Sequence, residues 1–78
     1  MEPKIGYLAR DIEYALFRLG YTGKSEASIR RYARKNGLAV QRDSGFQKTY
    51  LIPISNLEKL LEGLEIPIRT KDLLEELY

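Results

Sequence analysis

KSEASIRRYARKNGLAVQRDSGFQK, residues 24–48, contains two elements in succession. Ser25 can offer its hydroxyl to the free amides of a helix start, and Glu26 suits the positive end of the helix dipole. The helix runs to about Asn36 and stops at Gly37, a residue free to take the left-handed conformation that ends helices. Ile29, Tyr32 and Ala33 make a narrow apolar stripe. Half a turn away lie Ala27, Arg30, Arg31 and Arg34, with Ser28 and Lys35 at the margin. Leu38 to Arg42 then alternates, Asp43-Ser44-Gly45 carries a turn signal, and Gln47 to Ile52 returns, which predicts a β-hairpin. Its base is expected to be apolar at Leu38, Val40, Tyr50 and Ile52, and its tip polar and basic at Gln41, Arg42, Ser44, Gln47 and Lys48. Seven cations stand against Glu26 and Asp43 in this stretch, a net +5, while residues 1–23 sum to zero and residues 49–78 to −3. The whole-chain value of +2 hides that polarity. A polyanion responds to local charge density rather than to the total.

Upstream, Ile5, Leu8, Ile12, Leu16 and Leu19 recur at three- and four-residue intervals, which predicts a first helix from Pro3 to Leu19, closed by Gly20. Tyr7, Tyr14 and Phe17 form a second apolar set on its other side, to be covered by the C-terminal helix of the same chain or by a second copy. Tyr21 to Lys24 is a turn. Downstream, Pro53 ends the second strand, Ser55 and Glu58 have the spacing of a capping box, and Leu57, Leu60, Leu61 and Leu64 give a third helix its buried face, with Gly63 weakening its end. Glu65 to Arg69 is an extended connector. Thr70 can cap a last helix that presents Leu73, Leu74, Leu77 and Tyr78 inward and Asp72, Glu75 and Glu76 to water. That helix is too short to persist unless it docks. The expected fold is a single α+β domain over residues 1–78, mostly helical: helix, helix, hairpin, helix, short helix.

At 78 residues the core is small. Cysteine and histidine are absent, which removes the usual zinc ligands and any disulfide staple. The start has no apolar run of signal-peptide type, and no later stretch reaches a membrane span of ~18 apolar residues. A cytoplasmic protein is expected, without cofactor, metal, membrane or small-molecule partner. Charged residues at 31% and the lack of cysteine suit a hot habitat. The carboxylates Glu62, Glu65, Glu75 and Glu76 have no nucleophile or phosphate-binding loop beside them, so no enzyme is expected.

A helix, a turn, a basic second helix and a hairpin follow one another in the order of a winged helix-turn-helix. In that geometry the second helix enters the major groove of double-stranded DNA with its N-terminal part nearest the bases. Small residues such as Ala27 and Ser28 allow close approach, and Arg30, Arg31 and Arg34 suit guanine edges or phosphates. Lys24, Ser25 and Lys35 flank them, while Arg42, Ser44 and Lys48 would touch flanking backbone.

Residues 25–61, with the serine-capped basic helix, the Gly37-Leu38 exit, a hairpin ending in Tyr50-Leu51-Ile52-Pro53 and then Ser55-Asn56-Leu57-Glu58, resemble the excisionase and MerR-like winged helix-turn-helix group. The resemblance implies a DNA-binding transcription regulator or an architectural cofactor of recombination. The family's first helix is short and opens with a cap followed by Glu-Ala-Ala; the helix read here over Pro3 to Leu19 is long and lacks that motif. Two other readings use the same residues differently. One is a module for double-stranded RNA, the basic face following an A-form backbone. The other is a protein–protein adaptor on a winged-helix scaffold, with Tyr7, Tyr14 and Phe17 as its working surface; the DNA-binding reading itself admits a homodimer through those three residues and the C-terminal helix.

Overall fold

A computed structural model describes residues 6–44 and 47–77; of residues 43, 44, 47 and 48 it describes the backbone alone. The elements are α1 (Ala9–Arg18), α2 (Glu26–Lys35), β1 (Val40–Ser44), β2 (Gln47–Leu51), a 3-10 turn (Ile54–Asn56), α3 (Leu57–Gly63) and α4 (Thr70–Leu77). The fold is α+β and mostly helical, with a two-stranded antiparallel hairpin.

Among the described residues the first helix starts later than its periodicity predicts, at Ala9; Pro3 to Ile5 of the predicted helix lie outside them. Residues Gly6 to Leu8 are extended, because the Tyr7 amide donates to the Ile52 carbonyl at 3.0 Å and the Ile52 amide donates back to Tyr7 at 2.8 Å. Two non-local bonds and burial of the Tyr7 ring outweigh one more helical turn, which would have satisfied the same groups locally. Gly6 permits the approach: a β-carbon there would lie 2.5 Å from the Ile52 carbonyl oxygen. Tyr7 is 1% exposed and belongs to the core, not to an outward set with Tyr14 and Phe17.

Three helices end in the same way. After α1, the Gly20 amide donates to Phe17 and the Tyr21 amide to Leu16; after α2, Gly37 donates to Arg34 and Leu38 to Ala33; after α3, Glu65 donates to Glu62 and Ile66 to Leu61. Each is a Schellman closure with a left-handed residue at its centre: Gly20 at φ 89°, Gly37 at φ 68°, and Glu65 at φ 57°. The residue that follows each closure, Tyr21, Leu38 or Ile66, turns back onto the core. Helix ends thus direct the chain as well as stop it.

The core gathers Ile12 and Leu16 from α1, Ile29 and Ala33 from α2, Ile52 from the base of the hairpin, Leu57, Leu60 and Leu61 from α3 and Leu73 from α4. Tyr32 is half-buried against α3, over Gly63, where a β-carbon would overlap its ring and hydroxyl. That packing explains the glycine near the helix end. The expected Ser55–Glu58 capping box is not formed. Ser55 lies inside the 3-10 turn, and Asn56, which precedes α3, sends its side-chain amide 2.9 Å to the Leu38 carbonyl instead. Thr70 is the first residue of α4 rather than its cap. α4 docks on α1 and α3 through Leu73, and Arg18 of α1 pairs with its Glu76 at 3.0 Å. It leaves Tyr14 and Phe17 uncovered, at 61% and 62% exposed.

The apolar base of the hairpin differs from expectation at Val40. Val40 pairs with Leu51, Gln41 with Tyr50 and Arg42 with Thr49. Directly opposed residues share a face and neighbours alternate, so Val40 and Tyr50 point to opposite sides. Val40 is 48% exposed, and Ala39 packs on the core in its place. Asp43 and Ser44 are the last residues of β1, not turn residues. Gly45 of the predicted turn lies outside the described residues, as does Phe46.

Candidate nucleic-acid interface

The start of α2 is fixed from two directions. Ser25 caps locally, its hydroxyl accepting from the Ser28 amide at 3.2 Å and donating to the Ser28 hydroxyl at 3.1 Å. Glu13, on α1, accepts the Glu26 amide. The first-turn hydrogen bonds and the full burial of Ile29 and Ala33 set the orientation of α2 about its axis. Its other side must therefore face water.

That side carries Ala27, Ser28, Arg30, Arg31, Arg34 and Lys35, all exposed. Ala27, Arg30, Arg31 and Arg34 line one shallow depression of about 380 Å³. Arg30 has a partner the sequence reading overlooked: Glu26, four residues earlier, at 3.7 Å. Both side chains are about half exposed, so the pair contributes on the order of 0.3–0.5 kcal/mol and yields readily to a stronger ligand. Arg31 has no carboxylate partner among the described residues.

A ring contact joins the hairpin to α2. The Arg34 guanidinium lies 4.3 Å from the centre of the Tyr50 ring. A cation over an aromatic ring at this distance gains about 0.5–1 kcal/mol at an exposed site, and Arg34 has no ion pair among the described residues. Alternation assigns Gln41 to the Tyr50 face and Arg42 to the other; Arg42 is exposed there, opposite Thr49. The side chains of Ser44 and Lys48 lie outside the described residues. The cationic surface brought together is therefore that of α2 and its junction with β2, and Arg42 lies on the other face of the hairpin. Lys24 and Ser25 line a separate hollow of about 410 Å³ with Arg10, Tyr14, Phe17 and Tyr21.

Three participants escaped the sequence reading. Glu13 and Tyr50 act on α2 across 13 and 16 residues of chain, and no local pattern announces such pairs. Arg10 was visible in principle, since residues 10, 14 and 17 share one face of a helix. No group of three or more His, Cys, Asp or Glu among the described residues could hold a metal ion, and no described helix is long and apolar enough to cross a membrane. Comparison with protein-family models, with curated proteins and with solved structures finds no match for the chain.

Proposed function

We propose that the protein is a small winged helix-turn-helix DNA-binding protein, acting as a transcription regulator or as an architectural or recombination accessory factor, with no catalytic role. The observation that carries this reading is the outward face of α2. It presents three arginines and two small residues to solvent, is held rigidly by the core beneath it, and is tied to the hairpin by the Arg34–Tyr50 stack. A helix of these dimensions fits the B-DNA major groove, about 12 Å wide, and α1 would cross the backbone behind it. The 10-residue α1 also removes one difference from the excisionase and MerR-like group, whose first helix is short. Tyr14 and Phe17 are the exposed aromatics through which, with α4, two copies could associate.

Binding to duplex DNA, followed by anisotropy as salt is raised, tests the reading. If about five cations meet phosphates, affinity falls by roughly 10²–10³ between about 50 and 200 mM salt. Alanine at Arg30, Arg31 and Arg34 together should abolish binding while the far-UV circular dichroism stays unchanged. A flat salt dependence of the wild type would refute the proposal. Duplex RNA of equal length serves as competitor, and preference for it would transfer the same face to an A-form ligand.

A further inference from the structure

We propose that Arg10 is a phosphodiester-binding residue, closing with Arg30 on one phosphate of the nucleic-acid backbone in the concavity between α1, α2 and β2. The inference rests on the DNA-binding reading above and deepens it, because it adds a third element to a grip otherwise confined to α2 and the hairpin.

The concavity measures about 390 Å³ and is lined by Arg10 from α1, Arg30 from α2, and Thr49 and Tyr50 from β2, with Leu8, Ala9 and Glu26 completing it. The two guanidiniums are hydrogen-bond donors only, the complement a singly charged phosphodiester with two free oxygens requires. Glu26 is the one carboxylate in the lining. Its charge is directed at Arg30 at 3.7 Å, an exposed pair that a phosphate can replace at small cost. Arg10 has no carboxylate partner among the described residues. Glu13 lines the neighbouring hollow with Arg10, but its carboxylate accepts the Glu26 amide.

Position adds to chemistry. Arg30 also lines the depression formed with Ala27, Arg31 and Arg34, and Arg10 also lines the hollow that holds Lys24. The cations thus form a chain in which each hollow shares a residue with the next: Arg31 and Arg34, then Arg30, then Arg10, then Lys24.

The test compares wild type, Arg10→Ala, Arg10→Gln and Arg10→Lys on a fluorescent random-sequence duplex. A residue that neutralises one phosphate contributes about 0.9 to the slope of log affinity against log salt. Arg10→Ala and Arg10→Gln are expected to lower the slope by about that amount, equally on any sequence, with unchanged circular dichroism and melting temperature. Arg10→Lys is expected to retain it. Wild-type binding whose slope is the same in Arg10→Ala and Arg10→Gln overturns this inference alone. Wild-type protein that does not bind duplex DNA overturns the parent reading, and this inference with it.

Discussion

Glu65→Gly is expected to stabilise the protein, although it removes a whole side chain. Glu65 occupies the left-handed position of the closure after α3, at φ 57°, where its counterparts after α1 and α2 are glycines. A β-carbon in that conformation crowds the following carbonyl and costs roughly 1–2 kcal/mol. Glycine relieves the crowding but has more freedom to lose on folding, which returns roughly 0.5–1 kcal/mol. The net gain is then about 0.5–1 kcal/mol. The side chain gives up nothing in exchange, since the Glu65 carboxylate is exposed and has no ion pair among the described residues. For a domain of this size the gain corresponds to a rise in melting temperature of about 2–8 °C. In urea it is a higher midpoint at unchanged slope, which separates a stability change from a change in the unfolded ensemble. Gly37→Ala supplies the opposite arm: the same geometry at φ 68°, with open space around the added carbon, should cost about 1 kcal/mol. A Glu65→Gly protein that melts at or below the wild-type temperature would refute the account of the helix ends. So would a Gly37→Ala protein with no loss of stability.

Two further outcomes follow from the packing. Glu13→Ala removes the acceptor of the Glu26 amide and should cost about 0.5–2 kcal/mol in urea unfolding, as loss of a helix cap does; a loss within experimental error would mean that Ser25 alone suffices. Gly6→Ala drives a methyl group into the Ile52 carbonyl and should break the Tyr7–Ile52 bridge, exposing the Tyr7 and Ile52 amides to hydrogen exchange while the amides of α2 stay protected; retained protection at Ile52 would count against the bridge as the device that shortens α1.

Much of the site was legible in the order of residues because it depends on short-range rules. Ser25 begins α2, Gly37 ends it, and the 3.6-residue period separates Ile29 and Ala33 from Arg30, Arg31 and Arg34 without reference to any other part of the chain. The leucines of α3 and the docking requirement of α4 were readable for the same reason. What misled was periodicity carried past its physical limit. Ile5 and Leu8 continue the spacing of α1, yet the backbone around Tyr7 pairs with Ile52, 45 residues away, and no local preference records that competitor. The capping box failed similarly, since Asn56 is engaged by the exit of α2 rather than by its own helix.

The sequence by itself determined the order of helices and hairpin, which side of α2 is buried, and where positive charge concentrates, because capping, periodicity and charge are properties of neighbours along the chain. Only the tertiary structure decided the hairpin register, the length of α1, the placing of Arg34 over Tyr50, and the concavity that Arg10 and Arg30 both line. Each of these is an agreement between residues far apart in sequence. It is fixed by which non-local contacts best satisfy buried backbone groups, a competition that takes place only once the whole chain is folded.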